Sequence, residues 1–183
     1  MKPRLLEIAT IGELEEAGPL LLWLGGELSD RFALLGVELH DIPVQPDWKA
    51  PDHATLASNR IIDFLVDRAG DHDHSHEHRW TLAVTASDLS VPGRDYVFGE
   101  ATLGGGWAVV SIARLRPAED TRTDDPHWRQ RLLVEAVHEL GHLAGLPHCE
   151  TAGCAMQPSV TALDIDDKNA TFCARCDALL RLA

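Results

Sequence analysis

The stretch of sequence that decides the fold runs from residue 138 to residue 148 and reads HELGHLAGLPH. It lies in the clearest helical pattern of the chain, where apolar residues recur every three or four positions. Asp125 is suited to cap this helix and Pro126 to occupy its first position, whereas Gly145 and Pro147 stop it. We therefore predict one long helix that ends at a sharp turn within the stretch.

The spacing of the histidines in this stretch suits a single metal ion. Residues four apart on a helix share a face, so His138 and His142 can direct two imidazoles at one ion. Gly145 tolerates the left-handed conformation of the following turn, which can bring His148 back as a third ligand. Three histidines leave the fourth position of a zinc ion open for water, the arrangement of a catalytic site. The competing interpretation is three unrelated helical or surface histidines.

Glu139 follows the first of these histidines and is displaced about 100° around the helix, so it is not itself a ligand. Zinc lowers the pKa of a bound water to about 7, and a carboxylate in this position can accept the proton as the water attacks a peptide carbonyl. The metal would also polarise that carbonyl. The pattern predicts a zinc-dependent metallopeptidase with Glu139 as general base.

The four cysteines form two close pairs, Cys149 with Cys154 and Cys173 with Cys176. Two pairs at these spacings suit a closed tetrahedral structural zinc site, which would give the chain two Zn²⁺ ions in all. Buried free thiols and disulfides are the alternatives. A thiol redox role for Cys173 and Cys176 is a third functional hypothesis.

Length and charge exclude several kinds of partner. The 183 residues fit one domain, and a formal net charge of −13 repels phosphate backbones, so no nucleic-acid partner is expected. No apolar run approaches the roughly 20 residues that span a bilayer, and no signal peptide is recognisable. We expect a cytoplasmic protein, with no membrane partner, that acts on a peptide or protein. The sequence does not indicate an oligomeric state.

The remaining segments alternate between the two kinds of secondary structure. Strands are predicted at Leu5–Ile11, Val37–Val44, Trp80–Ala86, Tyr96–Thr102 and Trp107–Leu115. Further helices are predicted at Pro19–Leu34, at His53–Arg68 and from near Asp164 to Leu182. This order predicts an α+β fold in which helices pack on a mixed sheet.

A polar tract between these segments contains His72, His74, His76 and His78. We interpret it as a solvated loop with weak, incidental affinity for metals, and a zinc-gathering or substrate-gating role is the alternative.

The zinc motif resembles that of the metzincin clan of zinc peptidases, HExxHxxGxxH followed by a methionine turn. Met156, eight residues after His148, would supply that turn. A wider set of motifs resembles the signature of the archaemetzincin family. It consists of HC at 148–149, CAM at 154–156 and CARC at 173–176. One residue fewer separates Met156 from Cys173 than is usual in that family. Recognisable motifs extend over residues 80–176.

The resemblance implies a zincin-like fold within a single domain of residues 1–183. A twisted mixed sheet with helices, formed by residues 1–145, would lie above the active-site cleft, and a small zinc-stapled subdomain of residues 146–183 below it. An edge strand between Tyr96 and Leu115 would pair with an extended substrate. Members of the family are metallopeptidases and often aminopeptidases. The alternative is a zinc-stabilised peptide-binding module with little hydrolysis.

Overall fold

The computed structural model describes residues 4–14, 17–50, 54–69, 79–116 and 125–182. The histidine tract at 72–78 lies outside the described residues. Eight strands are described: β1 (Leu5–Ile11), β2 (Gly36–Ile42), β3 (Leu56–Ala57), β4 (Arg79–Thr85), β5 (Leu89–Val91), β6 (Arg94–Val97), β7 (Gly99–Ala101) and β8 (Trp107–Ser111). Five α-helices accompany them: α1 (Ala17–Phe32), α2 (Ser58–Ala69), α3 (Pro126–Leu143), α4 (Ala162–Asp166) and α5 (Ala174–Leu180), with a short 3₁₀ turn at Pro46–Trp48.

A five-stranded mixed sheet forms the centre of the fold, with the strand order β2-β1-β4-β8-β7. The first four strands are parallel, and β7 runs antiparallel to β8 at the edge. A smaller sheet has the order β3-β5-β6. The predicted α+β fold with a mixed sheet is confirmed.

The central strands are buried on both faces because different helices cover each face. Side chains alternate along β1: Leu6 and Ile8 join the apolar cluster under α1 and α3, whereas Ala9 and Ile11 join the cluster under α2. This packing holds α3 firmly against the sheet. None of the helices in the described ranges is both long and apolar enough to cross a bilayer.

The ends of α3 follow from the residues that flank it. The Asp125 side chain accepts hydrogen bonds from the backbone N–H groups of His127 and Trp128, at 2.8 and 3.3 Å. Pro126 occupies the first turn, where its missing N–H leaves no hydrogen bond unmade. Gly145 has a φ of +86°, in the left-handed region that favours glycine. The predicted helix and its terminal turn are confirmed.

Two sequence-based assignments of secondary structure are wrong. The single strand expected at Tyr96–Thr102 is divided at Phe98 into β6 and β7, which belong to different sheets. The single helix expected from near Asp164 to Leu182 is two short helices. Backbone groups between them bond elsewhere, since Asn169 N donates to Gly153 O at 3.0 Å and Ala155 N donates to Thr171 O at 2.9 Å. These tertiary bonds replace the helical ones.

Candidate active site

The three histidines of the motif converge at one point beside α3. Their ring centroids are 4.6, 5.0 and 5.3 Å apart, and one nitrogen from each ring lies within 4.8 Å of the others. The Nε2 atoms of His138 and His142 are 3.1 Å apart. Two ligands at 2.0–2.1 Å from a tetrahedral zinc ion lie roughly 3.3 Å apart, so the donor set fits zinc.

Backbone carbonyls fix the orientation of two of these rings. Nδ1 of His138 lies 2.7 Å from the carbonyl oxygen of Ala155, and Nδ1 of His142 lies 2.8 Å from that of Leu146. Each Nδ1–H donates to its carbonyl, which leaves Nε2 with the lone pair that a metal requires. Burial lowers the pKa of His138 to about 3, and it also lowers the pKa values of His142 and His148. The rings are therefore neutral at pH 7.

Glu139 lies in the same cleft and is 4% exposed. Burial raises its pKa well above the ordinary range, and the charge of Glu135, one helical turn earlier, raises it further. Such a carboxylate is a stronger proton acceptor than one in water.

The cleft has a volume of about 770 Å³ and passes between the β6–β7 segment and the chain that follows α3. β7 forms its upper edge. Phe98 O accepts from Ser111 N at 2.8 Å, and Thr102 N donates to Trp107 O at 3.0 Å. Because alternate residues of an antiparallel strand bond to the same neighbour, the backbone groups of Gly99 and Ala101 point away from β8.

Met156 follows Ala155, whose carbonyl binds the His138 ring, and is completely buried. Its side chain packs against Gly141 of α3, where a Cβ atom would stand 2.3 Å from the methionine sulfur. The backbone N–H of Cys149 donates to the Met156 carbonyl at 2.9 Å, which joins the turn to the segment that carries His148.

The four cysteines form a second cluster. Their sulfur atoms lie within 4.8 Å of one another, and none forms a disulfide. Cys149 and Cys173 sulfurs are 3.8 Å apart, which matches the roughly 3.8 Å between two thiolates at 2.3 Å from a tetrahedral zinc ion. Cys173 caps the amino terminus of α5 rather than lying within the helix. A backbone hydrogen bond from Cys176 lowers the pKa of Cys173 to about 6, whereas burial raises those of Cys154 and Cys176.

Sequence reasoning missed three residues that line this site or support it. Gly99 lies against Glu139, and a buried ion pair joins Glu135 to Lys168. Glu135 lies one turn before Glu139 on the predicted helix, and this spacing is a signal that could have found it. Lys168 and Gly99 offer no such signal, because they reach α3 only through tertiary contacts.

Comparison with known proteins agrees with this geometry. A protein-family model, Peptidase family M54, matches residues 53–182. Archaemetzincin from Haloquadratum walsbyi is 34% identical over 157 residues, which are 81% of this chain and 87% of its own. Archaemetzincin from Archaeoglobus fulgidus is 44% identical over 101 residues, which are 55% of this chain and 59% of its own.

Solved structures of such proteins share the fold. The crystal structure of archaemetzincin from Methanopyrus kandleri superposes with a TM-score of 0.82 at 27% identity, over 98% of this chain and 94% of that one. Archaemetzincin from A. fulgidus, solved in complex with malonate, gives a TM-score of 0.76 at 30% identity, over 96% of this chain and 99% of that one. By family match, sequence identity and fold, this chain belongs to peptidase family M54, the archaemetzincin family of zinc metallopeptidases.

Proposed function

We propose that this protein hydrolyses peptide bonds, with a catalytic zinc ion held by His138, His142 and His148 and with Glu139 as the general base. The convergence of three neutral imidazoles beside one buried carboxylate carries the proposal. A bound zinc ion supplies Lewis acidity toward water and a carbonyl oxygen. The Glu139 carboxylate takes the proton of the attacking water and delivers it to the departing amine nitrogen.

A peptide is the substrate class that the upper edge of the cleft fits. The backbone N–H and C=O groups of Gly99 and Ala101 face outward, and an extended chain would pair with them as an added strand. Main-chain pairing of this kind would hold the scissile bond beside Glu139, since Gly99 lies against that carboxylate. This arrangement favours hydrolysis over the alternative of a peptide-binding module, which has no use for a buried base.

Aminopeptidase activity is the finer form of this proposal. It rests on the resemblance to the archaemetzincin family, whose members are often aminopeptidases. We therefore expect peptides with a free amino terminus to be cleaved faster than the same peptides with an acetylated one.

A second, structural zinc ion is proposed at Cys149, Cys154, Cys173 and Cys176. It would tie the loop after α3 to α5 and so stabilise a lower subdomain of residues 146–183 against an upper one of residues 1–145. In this arrangement Gly145 supplies the turn and Met156 the methionine floor beneath the catalytic histidines. A cytoplasmic location suits these ligands, because free thiols persist in a reducing compartment.

The deciding experiment compares the zinc-loaded protein with its Glu139→Gln variant on a peptide library. We expect cleavage by the first and a loss of about 10²- to 10⁴-fold in kcat for the second, with zinc content unchanged. Full activity of Glu139→Gln would exclude this residue as the base. Peptide binding without cleavage by the unaltered protein would favour the binding module.

A further inference from the structure

One end of the cleft, defined by Tyr96, Phe98, Glu135, Ser159 and Val160, contains an ion pair that the proposed chemistry does not use. Nζ of Lys168 donates to Oε1 of Glu135 at 2.9 Å and to the carbonyl oxygen of Gln157 at 3.0 Å. The Lys168 and Glu135 side chains are 1% and 4% exposed. Burying two charges costs free energy, so this pair is a candidate for a role in the cleft.

Glu135 presents an unused acceptor at this end of the cleft. Its Oε1 accepts from Lys168 and, at 3.4 Å, from the hydroxyl of Ser159. Among the described residues, no donor bonds to Oε2. Glu135 is only 3% exposed, so this oxygen has little room for water, and a donor on a bound molecule would stabilise it. Because Glu135 lines the cleft, a bound molecule can supply that donor.

The walls of this end are apolar and tied to each other across the cleft. The rings of Tyr96 and Phe98 pack edge to face with their centroids 5.7 Å apart. The Tyr96 hydroxyl donates to the carbonyl of Val160 on the opposite wall. The guanidinium of Arg114 lies 3.8 Å from the centre of the Tyr96 ring, and both carboxylate oxygens of Asp88 hold it there. This end is therefore a pre-formed pocket.

We propose that this pocket selects one substrate side chain, with an apolar stem and an uncharged hydrogen-bond donor at its tip, whose donor is accepted by Oε2 of Glu135. Glutamine and tyrosine have this chemistry. The inference rests on the proposed peptidase function and adds a specificity residue to it. A cationic tip is disfavoured because it would lie beside Lys168, and an anionic tip because it would lie beside the carboxylate.

The variant Glu135→Gln tests this assignment at a single atom. Its amide oxygen keeps the hydrogen bond from Lys168, while its amide nitrogen takes the place of Oε2 and turns an acceptor into a donor. Peptides that carry glutamine or glutamate at a position flanking the scissile bond are compared by kcat/KM. The unaltered protein should prefer glutamine, and Glu135→Gln should reverse the ratio by about tenfold or more, since a polar site rejects a mismatched group.

Binding gives a second readout that does not depend on turnover. The same peptides are titrated onto zinc-loaded Glu139→Gln protein, with and without the Glu135→Gln change, and the ratio of their Kd values is measured. The matched control is Asp166→Asn. Arg131 and Asp166 also join α3 to α4, but neither lines the cleft, so this variant should leave both ratios unchanged.

The outcomes separate the two proposals. An unchanged glutamine-to-glutamate ratio in folded, zinc-loaded Glu135→Gln overturns the pocket assignment and leaves hydrolysis standing. Failure of the unaltered protein to cleave any peptide overturns the proposed hydrolysis. The ratio of the Kd values for the two peptides then tests the pocket assignment by itself. If Glu135→Gln does not fold, the double variant Glu135→Met, Lys168→Met replaces the ion pair with apolar side chains. It should prefer leucine over glutamine, and retention of the glutamine preference overturns the assignment.

Discussion

Gly99 on β7 lies directly against the carboxylate of Glu139 on α3. A Cβ atom at position 99 would stand 2.5 Å from Glu139 Oε1 and 2.8 Å from the carbonyl oxygen of Val109. One neighbour is the proposed general base and the other is the backbone of the adjacent strand. The absence of a side chain at this position therefore lets the edge strand approach the reacting groups.

Gly99→Ala is expected to reduce activity more than stability. The added methyl group must displace the Glu139 side chain or push β7 away from β8, and a shift of about 1 Å in a reacting group can cost 10²-fold in rate. The measurement is kcat/KM together with the melting temperature of the zinc-loaded protein. Gly26→Ala is the matched control. Gly26 is an exposed residue of α1, and a Cβ atom added there would have no other atom within 4 Å. Unaltered kinetics in Gly99→Ala would refute the close approach.

The two clusters should each hold one zinc ion. Elemental analysis of the purified protein should find two per chain, and His142→Ala and Cys149→Ser should each reduce the number to one. Only the cysteine variant should lose thermal stability strongly, because a closed tetrahedral site contributes folding free energy. One zinc ion in the unaltered protein would contradict this prediction and would reopen a thiol redox role for Cys173 and Cys176.

Gly141 and Met156 should be energetically coupled. An alanine in a helix interior is ordinarily more favourable than glycine by about 0.5–1 kcal/mol. At position 141, however, the Cβ would lie 2.3 Å from the Met156 sulfur and 3.2 Å from Phe172. Gly141→Ala should therefore lower the free energy of unfolding by about 1–3 kcal/mol. Urea denaturation of this variant, of Met156→Ala and of the double variant should show that the losses do not add, since removing the methionine side chain makes room for the new methyl group. Additive losses would mean that the two positions do not touch.

The ion pair between Arg131 and Asp166 should make the free energy of unfolding depend on pH in the acidic range. The hydrogen bond and charge of Arg131 hold the pKa of Asp166 below its ordinary value in the folded protein. A depressed folded-state pKa contributes stability above the unfolded pKa of about 3.9 and loses it as the pH falls through the folded pKa. Asp166→Asn should therefore cost about 0.5–1 kcal/mol at neutral pH.

The test of this pH dependence is urea denaturation of both proteins between pH 7 and pH 3.5. The difference in unfolding free energy should shrink below pH 4, as the Asp166 carboxylate becomes protonated. His127 Nε2 lies 3.2 Å from Asp166 Oδ1, so protonation of that ring would add to the difference before it shrinks. A difference that does not shrink between pH 5 and pH 3.5 would assign the effect to another group.

The local parts of this protein follow from its sequence. Helical spacing predicts that His138 and His142 share a face, and Gly145 marks the turn that returns His148 to them. The boundaries of α3 follow from its capping residue and its first-turn proline. The order of strands and helices can also be recognised in the sequence and predicts the α+β fold. The two cysteine pairs, together with the histidine motif, indicate the family. All of these patterns involve residues that are close in sequence, where backbone geometry alone determines the direction in which each side chain points.

Only the tertiary structure decided which distant residues meet at the cleft. Lys168 lies 33 residues from Glu135 and pairs with it because the chain after Met156 folds back along α3. The helix expected after Asp164 is interrupted because backbone groups near Asn169 bond to the turn at Gly153. The edge strand lies against Glu139 at Gly99, where a Cβ atom would stand 2.5 Å from Oε1. Each of these features depends on packing between segments that are remote in sequence, and local periodicity carries no information about such contacts.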